Sequence, residues 1–205
     1  MNFLAIDTSA DYLTVVAKKG EREKILFESD CAMRHSSRLM GAIEETLGEI
    51  GLTPSECDFF CAVTGPGSFT GIRIGISAIK GFCSALAKPA LGVTSFDTLA
   101  YNTTESALAA IPAGRGLFYL AAFGADKKIL LPPEIADKRR LSALAGKYTL
   151  VGYSPLPLPY EKADPAAGLL HAVCSRARAG TFGGLCPLYV RKSQAEEERE
   201  KRGNI

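Results

Sequence analysis

The sequence lacks the residues on which many enzymes depend. It contains no tryptophan and only two histidines, His35 and His171, which lie far apart among the 205 residues. A zinc or iron centre needs several His, Asp or Glu ligands at fixed spacing, so the sequence does not indicate a metallopeptidase. No G-x-S-x-G motif is present, and Ser68 has no evident base for a serine triad. We therefore expect no catalytic residues of its own and no metal site.

Neither sign of charge is in excess. The chain has 24 Lys and Arg against 22 Asp and Glu, which gives a formal net charge of +2. Proteins that bind nucleic acid through their own charge usually carry a strongly basic stripe. The total charge alone therefore does not indicate RNA binding. A partner would have to supply much of the affinity for any RNA.

Signals for disulfides, membranes and export are also missing. The six cysteines are irregularly spaced and form no C-x2-C pair, as is typical of buried thiols in a reducing compartment. The chain opens directly into a strand-like run, Phe3–Ile6, without a basic segment or cleavage site. No apolar run reaches the roughly 20 residues needed to cross a membrane. We expect a cytoplasmic protein with no membrane partner.

The pattern of apolar residues predicts an α/β fold. Hydrophobic residues make up 47% of the chain and charged residues 22%, as in folded domains. Three short strands open the chain as a meander, and helices then alternate with strands up to about residue 100. Two long helices are predicted at 36–50 and 69–86. The order β-β-β-α-β-α-β-α favours mixed sheets flanked by helices, the RNase H-like half from which actin-like proteins are assembled.

We divide the chain into two lobes and a tail. Residues 1–108 form an N-terminal RNase H-like lobe that carries both long helices, and residues 109–190 form a short C-terminal lobe. A proline-rich stretch at 154–159 is predicted to be an extended connector. Residues 191–205 are a mixed-charge tail, which is most often a solvated segment.

The least ordinary segment is the glycine-rich turn Thr64–Gly75. A glycine-rich strand-to-helix turn exposes backbone N–H groups that can hold an anion, but a tight turn without a ligand fits as well. It is not a Walker A loop, because no Gly-Lys-Ser/Thr sequence follows. The polar end of the first strand would suit the metal–phosphate loop of an actin-like ATPase. The candidate nucleotide contacts are Asp7, Thr8, Ser9, Gly65 and Gly67.

The helix after this turn is unusually rich in glycine. Gly67, Gly71 and Gly75 lie four residues apart, and each interior glycine costs a helix roughly 1 kcal/mol against alanine. This spacing favours close approach of another backbone, which could come from the same chain or from a partner. The apolar residues around the helix indicate burial on nearly all sides.

Several segments, taken together, form a recognisable pattern: Ala5-Ile6-Asp7-Thr8-Ser9, Arg34-His35-Ser36, Gly65–Gly75, Lys80-Gly81 and Gly92-Val93-Thr94-Ser95. They cover roughly the first hundred residues, and a weaker match follows at residues 187–191. In this order they resemble the TsaB (YeaZ) family. The resemblance implies an actin-like (ASKHA) fold of two lobes and a role in making threonylcarbamoyladenosine on tRNA.

The resemblance also implies how the protein works with others. Its members are non-catalytic subunits that bind a paralogue, TsaD, which holds the metal and transfers the threonylcarbamoyl group to N6 of adenosine 37. The ATPase TsaE joins the pair, TsaC makes the activated intermediate, and tRNA is reached only through the complex. In the absence of the partner, the same faces could form a homodimer.

The family's contact with TsaD uses the first two helices. Some of the residues on these helices must instead face the sheet, and the sequence does not sort them. We expect Ile43→Glu or Gly75→Leu to abolish pairing while leaving the fold intact. The candidate partner residues are Leu39, Met40, Ile43, Leu47 and Ile50 from the first helix and Gly71, Gly75, Ile79 and Phe82 from the second.

The second half of the chain departs from the family. Pro112 stands where the family usually has an aspartate, and this half is short. Both features weaken the case for a nucleotide cofactor, although residual ATP or ADP binding stays open. Two alternatives also stay open: an actin-like ATPase or kinase, and a glycoprotease-like homodimer without activity.

Overall fold

The computed structural model describes residues 1–190, and the predicted tail lies outside them. The described chain folds into two five-stranded sheets with helices on their faces. The first sheet contains β1 (Asn2–Asp7), β2 (Leu13–Lys19), β3 (Arg22–Glu28), β4 (Phe59–Val63) and β5 (Ala90–Val93). The second contains β6 (Ala107–Gly114), β7 (Leu117–Phe123), β8 (Ile129–Ala136), β9 (Thr149–Gly152) and β10 (Glu161–Lys162). The helices are α1 (His35–Glu49), α2 (Phe69–Leu86), α3 (Ser95–Ala100), α4 (Lys138–Ala145) and α5 (Pro165–Arg178).

The two sheets follow one connection scheme. The first has the order β3-β2-β1-β4-β5, and the second has β8-β7-β6-β9-β10 when read in the same direction. In each sheet a three-stranded antiparallel meander is extended by two parallel strands. The predicted α/β architecture of two lobes with mixed sheets is therefore confirmed, and the second lobe repeats the topology of the first.

This topology places three loops side by side. Strands β1, β4 and β5 are parallel, so their carboxyl ends meet at one edge of the first sheet. The loops that follow them carry Asp7–Ser9, the glycine-rich turn and Thr94, the N-cap of α3. The candidate nucleotide residues are thereby gathered at one edge, next to the start of α2.

Helices cover both faces of the first sheet. On one face, α1 and α2 bury Leu39, Ile43 and Ile79 against the sheet. On the other, α5 buries Leu169 and Val173. Helix α3 lies between the lobes and packs against the inner face of the second sheet, and α4 covers the outer face of that sheet.

The lobes are not divided as the chain order suggests. Strand β6 begins at Ala107, so a division after residue 108 falls inside a strand. Helix α5, placed by the sequence in the second lobe, packs on the first sheet because its apolar side chains complete that core. The predicted last strand at 188–190 is absent from the described structure; Leu188 N–H donates one backbone hydrogen bond to the Thr64 carbonyl oxygen, at 2.8 Å.

Helix α2 is the one described helix with the length and apolar composition of a membrane span. Five of its 18 residues are buried, and Ile72, Ile76 and Ile79 pack in the core of this chain against β1 and β4. This packing accounts for the apolar residues on the inward face of α2, whereas apolar side chains such as Phe69 remain exposed on its outward face.

Leu169→Ala should lower the free energy of unfolding by about 3 kcal/mol, because Leu169 is fully buried between α5 and the first sheet. Urea unfolding measures the change. Leu130→Ala is the matched control: Leu130 is 55% exposed on β8, and its loss should be below about 1 kcal/mol. Equal small losses for both variants would show that α5 does not pack as described.

Candidate nucleotide loop and partner-binding face

The carboxylate of Asp7 is enclosed at the end of β1. It is fully buried, and it accepts hydrogen bonds from the Ser9 N–H at 2.8 Å and from the Tyr12 hydroxyl at 3.1 Å. Burial raises the pKa of this carboxyl group above its ordinary value, although the hydrogen bonds from Ser9 and Tyr12 oppose that shift. The carboxylate therefore orders the loop after β1 from within the protein.

Gly67, just before α2, and Gly71 and Gly75 within it are explained by this same loop. A Cβ atom at Gly67 would overlap the Ser9 carbonyl oxygen, one at Gly71 the Thr8 carbonyl oxygen, and one at Gly75 the Thr8 hydroxyl. The Thr8 hydroxyl donates to the Gly71 carbonyl oxygen at 2.7 Å. The predicted close approach of a second backbone is real, but that backbone belongs to this chain. Gly71 and Gly75 accordingly lie inside the lobe.

A cavity of about 430 Å³ lies between the lobes beside this loop. Ser9 and Gly67 line it, whereas Asp7, Thr8 and Gly65 do not. Among the described residues that line it, Asp11 is the only charged one. Two of the five candidate nucleotide contacts thus reach the cavity, and phosphate groups there would meet no cation.

A pair of tyrosines separates Asp7 from the cavity and joins the lobes. The rings of Tyr12 and Tyr153 meet edge to face with centroids 5.5 Å apart, and the Tyr153 hydroxyl is hydrogen-bonded to that of Thr98. Tyr153 follows β9 in the second sheet, while Tyr12 precedes β2 in the first. No local sequence signal links two residues so far apart, so this pair is not among the predicted contacts.

Most of the candidate partner residues on the two long helices belong to the core. Phe82 is half-buried and stacks on Phe60, with ring centroids 5.2 Å apart. The expectation that Ile43→Glu leaves the fold intact does not hold, because the charge would enter the core of the first lobe. The side chains that face the first sheet are Leu39, Ile43, Leu47, Ile50 and Ile79.

The exposed surface of α1 and α2 forms a groove of about 510 Å³, which we call the α1–α2 groove. Met40, from the predicted set, is 56% exposed there, and Leu39 contributes an edge of its buried side chain. The α2 residues of the groove are not in the predicted set. These residues recur along one face of α2, opposite the glycines, so their helical spacing could have identified them as one surface. The lining residues are Ser36, Leu39, Met40, Phe69, Thr70, Arg73, Ile74, Ser77 and Ala78.

An aromatic cluster fixes one rim of the groove. Phe69 stacks on Tyr189 with ring centroids 4.7 Å apart, and the Arg73 guanidinium lies over the Phe69 ring at 3.8 Å. Arg73 Nε also donates to the Tyr189 hydroxyl at 3.0 Å. This cluster holds the segment before residue 190 against the start of α2.

Comparison with known proteins agrees with the residue patterns. The family model for TsaD, tRNA N6-adenosine threonylcarbamoyltransferase, matches residues 29–146. The tRNA threonylcarbamoyladenosine biosynthesis protein TsaB of Escherichia coli is 30% identical over 166 residues, which cover 74% of this chain and 71% of that protein. The chain belongs to the TsaB (YeaZ) family. TsaB of Buchnera aphidicola is 26% identical over 164 residues, covering 73% of this chain and 77% of that one.

The fold of this TsaB-family chain also matches a solved relative. YeaZ from Pseudomonas aeruginosa superimposes with a TM-score of 0.80 at 25% identity, over 92% of this chain and 99% of that one. Together with the repeated sheet topology, this match identifies the actin-like fold of two lobes that the sequence predicted.

Gly71→Ala should lower the free energy of unfolding by about 3 kcal/mol, because the added methyl group would overlap the Thr8 backbone. Gly81→Ala is the matched control in the same helix. A Cβ atom there meets no atom within 4 Å, so this change should raise stability by about 0.5–1 kcal/mol.

Chemical unfolding of both glycine variants measures the difference. Equal stability of Gly71→Ala and Gly81→Ala would show that the Thr8–Ser9 backbone does not pack against α2.

Proposed function

We propose that this protein is a non-catalytic subunit in the biosynthesis of threonylcarbamoyladenosine on tRNA, and that it binds a TsaD paralogue through the α1–α2 groove. Its membership of the TsaB family supports the pathway. The observation that carries the partner role is that α1 and α2 complete the core of this chain with one face and leave a second apolar surface exposed.

The groove has the composition of a helix-binding surface. Met40, Phe69 and Ile74 offer apolar side chains, and burial of each such side chain contributes roughly 1.5–3 kcal/mol. Ser77 and Ala78 are small, so they allow a partner helix to approach α2 closely. Two or three central apolar contacts of this kind dominate the affinity of most protein interfaces.

In the proposed complex, the partner carries out catalysis. Among residues 1–190, no group of three or more His, Cys, Asp or Glu side chains could hold a metal ion. The acid that an actin-like ATPase would use, Asp7, already accepts hydrogen bonds from its own loop and from Tyr12. The role that we propose is contact with the partner, in the cytoplasm.

The other members of the pathway follow from the family resemblance. TsaE would join the pair as the ATPase, TsaC would supply the activated threonylcarbamoyl intermediate, and tRNA would be bound by the assembled complex. Without TsaD, the exposed groove would favour self-association, because the same apolar surface on a second copy could cover it.

Met40→Glu should weaken association with the TsaD homologue of the same organism at least about tenfold, because it places a charge in the apolar groove. Met33→Glu is the matched control, since Met33 is 94% exposed and lies outside the groove. Isothermal titration calorimetry measures both dissociation constants, and light scattering gives the stoichiometry.

The expected outcome is a 1:1 complex for the native protein and for Met33→Glu, with binding reduced only by Met40→Glu. Equal binding by both variants would move the partner surface away from the groove. Absence of any association by the native protein would remove the proposed function itself.

A further inference from the structure

The small net charge of the protein hides a separation of charge between the lobes. Residues 1–106 contain nine Lys or Arg and 13 Asp or Glu, whereas residues 107–162, which form the second sheet and α4, contain eight Lys or Arg and four Asp or Glu. These segments therefore carry formal charges of −4 and +4. The second lobe is basic on a chain that is nearly neutral overall.

Three of these cations lie at the same end of the second sheet. Pairing of Phe118 with Ala136 sets the turn before β7 beside the end of β8. Arg115 lies in that turn, and Lys138 and Arg139 begin α4 two and three residues after Ala136. All three are exposed, and none forms an ion pair with any residue from 1 to 190. We call Arg115, Lys138 and Arg139 the basic end.

Each cation of the basic end stands where the local backbone disfavours it. Arg115 has φ +54° between Gly114 at +76° and Gly116 at +74°, a conformation that suits a third glycine. Lys138 and Arg139 occupy the first turn of α4, which contains no acid, although the positive end of a helix favours acidic residues. Folding therefore does not explain these three residues, whereas binding of an anionic partner would.

The nearby acids are already engaged. The Asp137 carboxylate caps α4 by accepting from the Arg140 N–H at 2.9 Å. The Glu134 carboxylate accepts from Arg140 Nε at 2.8 Å. At the opposite end of the sheet, Lys128 is paired with Asp126 at 2.9 Å, so the cations there are partly neutralised.

We propose that the basic end is a binding surface for the phosphate backbone of tRNA within the complex. This inference rests on the proposed function, which supplies the RNA. Exposed cations without an ion-pair partner favour phosphate groups, which contribute affinity that depends on salt and carries little sequence specificity. The basic end lies on the second sheet, away from the α1–α2 groove, so one protein could hold TsaD and RNA at once.

The test variant replaces each cation with a residue that the local backbone favours: Arg115→Gly, Lys138→Glu and Arg139→Glu together. The acids suit the start of α4 and glycine suits the turn, so the thermal midpoint should not fall. The matched control, Lys128→Glu with Lys147→Glu and Arg178→Gln, makes the same change in net charge at other exposed positions. Fluorescence anisotropy with a labelled unmodified tRNA transcript measures the affinity of each mixture with the TsaD homologue.

The basic-end variant should bind tRNA about tenfold more weakly than the native complex, and the slope of log affinity against log salt should become shallower by about two to three, one for each lost phosphate contact. The control should change affinity by less than about twofold. Light scattering on the same samples should show unchanged association with TsaD.

Three outcomes would overturn the inference: unchanged tRNA affinity, an equal loss in the control, or a loss of TsaD association by the basic-end variant, which would make this end a protein contact. Failure of the native protein to associate with TsaD would instead contradict the proposed function, and the two failures are therefore distinguishable.

Discussion

The contact between the Thr8–Ser9 backbone and the glycines of α2 determines how the first lobe is built. Each of Gly67, Gly71 and Gly75 leaves the space that one atom of this loop occupies, and the Ser68 N–H donates to the Ser9 carbonyl oxygen at 2.6 Å. The contact fixes the carboxyl end of β1 against the start of α2. It also sets the rotation of the helix, because the glycine face must point inward. The residues on its other side, including Phe69 and Ser77, are consequently left on the surface.

The same loop also limits which groups the candidate nucleotide residues present to a ligand. A fold does not determine a function, which depends on the groups that a site presents. Here the strand-end acid that could organise a metal is enclosed by Tyr12, and the neighbouring cavity has Asp11 as its only charged lining residue among those described. In our proposals the actin-like scaffold presents helices and a basic second lobe to other molecules, while the first loop stabilises the fold.

Sequence patterns predicted where the helices and strands lie better than they predicted what each of them packs against. The bounds of α2 at Phe69–Leu86 and the order of the first strands were predicted because hydrophobic period and turn residues are local signals. The apolar stripe of α1 was also found, but its period does not say whether the stripe is covered by the same chain or by a partner. Ile43 and Leu47 were therefore assigned to a surface that they do not form, and Phe69 and Arg73 were overlooked. The Tyr12–Tyr153 contact and the return of α5 to the first sheet depend on long-range packing, for which one sequence carries no signal.

Amide hydrogen exchange of this protein, with and without its TsaD homologue, would show whether the exposed faces of α1 and α2 bind TsaD. We expect added protection in α1 and in the first half of α2, with β8 and α4 in the second lobe unchanged when tRNA is absent. Protection confined to the second lobe, or no change in α1 and α2 under conditions where the complex forms, would contradict this proposal.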